Sequence, residues 1–123
     1  RIADWICQES QIAAKHELIT EGDLEGLDPW IAGTIFRISQ EAVRNADIHG
    51  QATKIDLHLA RTQDLVRLVV SDDGCGFDPN QQAEGRFGLR GMRQRAVWFG
   101  GDLTVDSTIG QGTTIRAEFA GIG

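Results

Sequence analysis

Glu41, Asn45 and His49 follow one another at four-residue steps, so on a helix they share one face. A carboxylate there can orient or deprotonate a nucleophile. A carboxamide oxygen suits Mg2+, a hard cation that usually reaches its site together with phosphate. Further along, Ser71 to Asp78 reads SDDGCGFD, with Asp72 and Asp73 running into Gly74-Cys75-Gly76 and then Phe77. The acidic pair would suit a metal, whereas the two glycines would allow a ligand to approach the backbone closely; both readings stay open on this stretch alone. Two further glycine groups follow, Gly85-Arg86-Phe87-Gly88-Leu89-Arg90-Gly91 and Gly110-Gln111-Gly112-Thr113-Thr114. Neither the P-loop pattern nor a Rossmann glycine turn after a strand is present.

These residues need elements to carry them. Asp28 is an N-cap and Pro29 a first helical residue, and Ile31, Ile35, Ile38, Ala42, Val43 and Ala46 mark a buried stripe. The pattern predicts a helix over 29–49, closed by Gly50 as a left-handed cap. Lys54 to Leu59 alternates as a half-wet strand, and Leu65 to Ser71 reads as a more buried one through Val66, Leu68, Val69 and Val70. The two form a hairpin around Arg61 to Asp64. A second helix begins near Gly88, turns Leu89, Met92, Ala96 and Val97 inward, and stops at Gly100-Gly101. Leu103 to Ser107 and Thr113 to Phe119 make a last hairpin. Ahead of these, Ile2 to Ser10 suits a short helix and Gln11 to Thr20 a strand with imperfect alternation. The class is α+β: a mixed, mostly antiparallel sheet covered on one face by helices.

The order of the motifs is more telling than any one of them. An asparagine-bearing helix, a strand ending in DxGxG, a glycine-rich helix start and GxGT before the last strand together resemble the ATP-binding catalytic domain of sensor histidine kinases. In wider terms the chain is similar to the GHKL ATPases, which include gyrase and mismatch-repair proteins. QEAVRNADIHG (Gln40 to Gly50) looks like the N box, DDGCGF (Asp72 to Phe77) the first glycine box, GRFGLRGMRQRA (Gly85 to Ala96) the second, and GQGTTI (Gly110 to Ile115) the last. FGLRGMRQR with a short lid is most similar to the subclass that signals to LuxR-type response regulators. The likeness runs from about Trp30 to Phe119.

The resemblance implies a two-layer α/β sandwich, the Bergerat ATP-binding fold, with ATP and Mg2+ as cofactors. By the same likeness, Asp72 would accept a hydrogen bond from the adenine amino group, and Gly74 and Gly76 would give the purine clearance. Asn45 would hold Mg2+, Glu41 would be the candidate base, and His49 would face phosphate. Gly88, Leu89 and Gly91 would present backbone N–H groups to anionic oxygens, with Arg90 adding charge, and Thr113 would sit near the adenine edge. The sequence departs from the family at Ile48, where a basic residue is common before the histidine, at Gly50 in place of a usual alanine, and at Asp73 in place of a common asparagine. No segment like the phosphoaccepting H box stands in the chain, so the acceptor histidine is expected on a separate dimerisation domain of the same parent, with a response regulator downstream. Within the superfamily, an anti-sigma-factor-type kinase that phosphorylates serine on a partner is the alternative; a nucleotide-binding module without turnover is another.

The bulk numbers agree with one such domain over residues 1–123. At 123 residues with 41% hydrophobic content the chain can build one core. The net charge of −6 disfavours nucleic acid, whose binders neutralise phosphates. Seven acids against Arg1 and Lys15 crowd the first 28 residues, while Arg86, Arg90, Arg93 and Arg95 gather within ten residues, a concentration suited to a small anion. No apolar run reaches the roughly 20 residues a membrane span needs, so no membrane contact by this domain is expected. Cys7 and Cys75 are expected as free thiols in the cytoplasm, and His16 and His58 as strand-surface residues. Arg1 in place of a starting Met suggests a piece of a longer protein, monomeric without its dimerising helices.

Overall fold

The structure, a computed structural model, describes residues 15–62, 65–77 and 89–120. Five strands and two helices follow one another as β1 (Lys15–Glu21), α1 (Pro29–Arg44), β2 (Lys54–Arg61), β3 (Leu65–Asp72), α2 (Leu89–Trp98), β4 (Gly101–Thr108) and β5 (Gly112–Ala120). They form one sheet in the order β1-β2-β3-β5-β4. β1 runs parallel to β2, and every other pair is antiparallel. The sheet is therefore mixed and mostly antiparallel, as expected. The pairing of β3 with β5 joins the two hairpins and sets Asp72 opposite Thr113.

The alternation of each strand decides which face the helices cover. Ile55, Leu57 and Leu59 of β2, Val66, Leu68 and Val70 of β3, and Ile115, Ala117 and Phe119 of β5 are buried. Against them pack Ile31, Ile35, Ile38, Ala42 and Val43 of α1 with Met92 and Ala96 of α2. Removing such a side chain from water stabilises the fold by about 1.5–3 kcal/mol each. The opposite face is wet and carries the His58–Glu21 and Arg67–Glu118 pairs. Val69, read from sequence among the buried residues of its strand, lies on that face and is only half-buried, because alternation overrides its apolar type.

α1 starts as its sequence requires: Asp28 Oδ1 accepts from Trp30 N at 2.8 Å, with Pro29 just inside. The buried hydroxyls of Thr34 and Ser39 donate to the carbonyls of Trp30 and Ile35 one turn back, which removes the cost of burying them. Three details differ from the sequence expectations. The α-helix ends at Arg44, and Asn45–His49 continue it as a wider π-helical turn, with Gly50 N donating to Asn45 O. Gly50 itself is right-handed (φ −87) and Gln51 takes the left-handed conformation (φ 52); the π turn carries the chain one residue further before it reverses. Val97 is 59% exposed, because among the described side chains of α2 Met92 and Ala96 are the buried ones and Val97 falls beyond their narrow stripe; the side chain of Leu89 lies outside those described. Gly100 does end the helix with a positive φ of 77. Trp30 stacks on Phe99 with centroids 6.3 Å apart, fastening the start of α1 to the end of α2. The expected helix over 2–10, the beginning of the strand at 11–14, and Cys7 lie outside the described residues.

Candidate functional site

One pocket opens where the C-terminal end of α1 passes over the ends of β3 and β5. It holds about 440 Å3, its open mouth included. Asn45, His49, Asp72, Gly76, Phe77 and Thr113 line it, over an apolar floor that includes Ala46, Val70 and Ile115. The π turn matters here. Asn45 opens it and His49 closes it, and π turns recur at functional sites because they re-aim side chains without ending the helix.

Asp72 and Asp73 end and follow β3, so their side chains leave on opposite sides of the chain. Asp72 faces the pocket. Burial raises its pKa above the ordinary carboxylate value, opposed by hydrogen bonds from the backbone N–H groups of Gly74 and Thr113, while neighbouring Asp73 raises it further. The Gly74 N–H donates to Oδ1 at 2.8 Å. Asp73 faces away and accepts from Thr53 N, Thr53 Oγ1 and Lys54 N. The Thr53 hydroxyl chiefly, and then these amides, hold its pKa below the ordinary value. A metal shared by the two acids, which sequence alone left open, does not fit side chains that diverge in this way.

The loop from Gly74 to Phe77 is tied down on both sides. On the α1 side Cys75 N donates to Gly50 O at 2.9 Å. On the hairpin side Gly110 N donates to Cys75 O at 2.6 Å, and Phe77 N donates to Ser107 Oγ at 2.9 Å. Ser107 Oγ in turn donates to Gly112 O, which leaves Thr113 Oγ1, 2.8 Å away, as the donor to Ser107. The glycines of this region are required by protein backbone. A Cβ on Gly76 (φ +64) would stand 2.2 Å from Thr108 O, one on Gly112 (φ +90) 2.1 Å from Asp72 O, and one on Gly74 2.6 Å from Gly50 O. Clearance for a purine, the reason given by the resemblance, is therefore not needed to explain Gly74 or Gly76.

Of the residues singled out in sequence, Asn45, His49, Asp72, Gly76 and Thr113 converge on this pocket. Glu41 is half-buried on α1 one turn before Asn45 and is not among the lining residues, nor is Gly74, which packs against Gly50. Leu89, Arg90 and Gly91 form the first turn of α2 and are not among the described lining residues. Gly88 lies outside the described residues. Sequence reading missed the floor residues Ala46, Val70 and Ile115, which follow the ordinary core periodicity. It also missed Thr53, whose bond to Asp73 spans twenty positions.

Among the described residues no group of three or more His, Cys, Asp or Glu side chains could hold a metal ion. A protein-only metal cage is thus not built there. The donor chemistry fits Mg2+ only in its usual manner, with one oxygen such as that of Asn45 and the remaining positions filled by phosphate and water.

This two-layer α/β fold, with a pocket at the end of its helical layer, agrees with the domain that the motif order resembled. Residues 32–120 match the family model for "Histidine kinase-, DNA gyrase B-, and HSP90-like ATPase", and the chain belongs to that family. It is 38% identical over 105 residues to the signal transduction histidine-protein kinase/phosphatase DegS of Bacillus subtilis, covering 83% of this chain and 27% of DegS. It is also 38% identical over 120 residues to the sensor histidine kinase LnrJ of the same organism, covering 98% of this chain and 29% of LnrJ. The chain thus spans less than a third of these relatives. Among solved structures, the blue-light activated histidine kinase of Erythrobacter litoralis EL346 superposes with a TM-score of 0.73 at 26% identity, over 98% of this chain and 40% of that one. The ATP binding domain of PrrB from Mycobacterium tuberculosis has the same fold, with a TM-score of 0.77 at 18% identity over 99% of this chain and 93% of that one.

Proposed function

We propose that this chain binds Mg2+-ATP in the pocket between the end of α1 and the ends of β3 and β5. In this reading it is the catalytic domain of a longer sensor histidine kinase. It presents the γ-phosphoryl group to a histidine on a separate dimerisation domain, which then passes the group to a response regulator. The convergence of Asn45, His49, Asp72 and Thr113 on one pocket carries this reading, together with relatives named as sensor histidine kinases. The domain works in the cytoplasm, where ATP is present. Among the described residues no helix is long and apolar enough to cross a membrane.

The residues divide the work by place. Asp72, ionised, accepts from the adenine amino group, a charge-assisted bond of roughly 1.5–3 kcal/mol. Val70 and Ile115 give the purine an apolar floor. Asn45 and His49, on the π turn, face the phosphates. Mg2+ supplies charge neutralisation on the phosphoryl oxygens, and Asn45 contributes one oxygen to it. Glu41 is the candidate base, and the first turn of α2, with Leu89, Arg90 and Gly91, supplies N–H groups and charge to the phosphate chain, a role the sequence motif extends to Gly88. Catalysis then rests on positioning and charge neutralisation more than on covalent work by the protein.

Mixing the chain and radiolabelled ATP with the histidine-bearing domain of its parent tests the reading. Label appearing on that histidine, and its loss with Asn45→Ala, is the expected result. ATP binding with no transfer would leave a nucleotide-binding module, and label on a partner's serine would point to the anti-sigma-type kinase.

A further inference from the structure

Asp73 stands beside the residue assigned to the purine and does not line the pocket, yet its carboxylate accepts three hydrogen bonds. Its Oδ1 accepts from Thr53 N at 2.8 Å and Lys54 N at 3.0 Å, and its Oδ2 accepts from the Thr53 hydroxyl. Its own N–H donates to Lys54 O, and two residues on Cys75 N donates to Gly50 O. The segment bound in this way, 50–54, leaves directly from the π turn that carries Asn45 and His49. The segment that binds it, 73–75, leaves directly from Asp72.

The two halves of the pocket come from chain segments more than twenty residues apart, and they need a fixed register to serve one ligand. The β2–β3 ladder sets Ile55 opposite Asp72 and Ala52 N ties back to Ala46 O; between these anchors Gln51 leaves the helix in a left-handed conformation, and Asp73 holds Thr53 in place ahead of β2. A carboxylate that accepts two consecutive backbone N–H groups fixes both the position and the direction of the segment it holds.

We infer that Asp73 is a positioning residue: with Thr53 and Lys54 it clasps the exit of the Asn45–His49 turn to the exit of β3, and so sets the phosphate side of the pocket in register with the purine side. The inference rests on the ATP-binding reading above. A ligand that spans both halves feels the clasp, whereas a ligand that occupies only the purine half does not. Asparagine can reproduce the clasp, since its oxygen accepts from the two amides and its NH2 donates to the Thr53 hydroxyl, which then turns around.

The test compares Mg2+-ATP with adenosine by calorimetry on the wild-type chain and on Asp73→Ala, Asp73→Asn and Thr53→Val, at a temperature where circular dichroism shows each to be folded. Asp73→Ala is expected to weaken Mg2+-ATP at least tenfold and adenosine less than threefold. Asp73→Asn should restore both affinities to within about twofold, and Thr53→Val should shift the ATP-to-adenosine ratio in the same direction as Asp73→Ala, by less. A merely stabilising role would lower the melting temperature and leave that ratio unchanged. An unchanged ratio in Asp73→Ala and Thr53→Val overturns the clasp, as does equal loss of both ligands. If Asp73→Ala does not fold, Thr53→Val decides alone, because it removes one exposed bond and no charge. A wild-type chain that binds neither ligand would overturn the ATP reading itself, and the clasp with it; a wild type that binds both, with an unmoved ratio in the variants, overturns the clasp only.

Discussion

The purine side of the proposed site and the first turn of α2 both carry glycine, yet their glycines answer to different neighbours. Around Asp72, a Cβ on Gly74, Gly76 or Gly112 would strike backbone carbonyls at 2.1–2.6 Å. At Gly91, on α2, a Cβ would find nothing within 4 Å among the described residues. The first region is built by the protein against itself, with its loop held between Gly50 and Ser107. Among the described residues the second shows no packing reason for glycine. Its glycine makes physical sense if something from outside comes close. In the proposed reading the purine half of the site is built by internal packing, and the α2 half takes its contacts from the nucleotide.

Gly112→Ala breaks this comparison most severely. The substitution forces a left-handed backbone and a contact with the Asp72 carbonyl, and it should cost about 2–4 kcal/mol, seen as a lower denaturant midpoint. Gly76→Ala should behave alike. If either variant were as stable as the parent, the purine side would not be the rigid half.

The two aspartates sharpen the same contrast through pH. Burial raises the pKa of Asp72. The folded state therefore keeps a proton there that the unfolded chain has released at about pH 3.9, and stability falls as pH rises between these two values. Asp73 is shifted the other way by Thr53 and Lys54. Its contribution is present above the unfolded value and is lost as pH falls through the folded one. A carbon-13 titration of the side-chain carboxyls should show Asp72 titrating above an ordinary aspartate and Asp73 below it, and nucleotide affinity should decline with Asp72. Coincident titrations would remove the distinction between the two faces.

Gly91→Ala is the mildest test. In the absence of nucleotide it should stabilise α2 by up to about 1 kcal/mol, because alanine is the better helix former. Thermal melts would show this, while Mg2+-ATP affinity should fall. Gain of stability without loss of affinity would mean that the first turn of α2 takes no part in binding.

Much of this was legible in the residues. The stripe from Ile31 to Ala46, the Asp28-Pro29 start and the alternation of β2 follow local rules, and they fixed α1 and both hairpins. The π turn was not legible, since Asn45 to His49 carries the same apolar spacing as an α-helix and only the position of Gln51 betrays it. The pairing of β3 with β5 was hidden as well, because it depends on contacts between distant segments. Within the candidate site, Asn45, His49, Asp72, Gly76 and Thr113 stood out because polar or glycine residues at those spacings are unusual. Val70 and Ile115 did not, because a pocket floor and a core wall have one pattern. The motif order moved the metal from the acidic pair to Asn45 and left Asp73 without a role; Thr53, twenty positions away, supplies one.

The central claim is that Asp72 reads the adenine of ATP in a preformed pocket. Calorimetric titration of Mg2+-ATP into the wild-type chain and into Asp72→Ala tests it most directly, with circular dichroism as the check on folding. The account predicts clear binding to the wild type and a loss of at least tenfold in a variant that keeps its fold. Equal affinity in the two would contradict it.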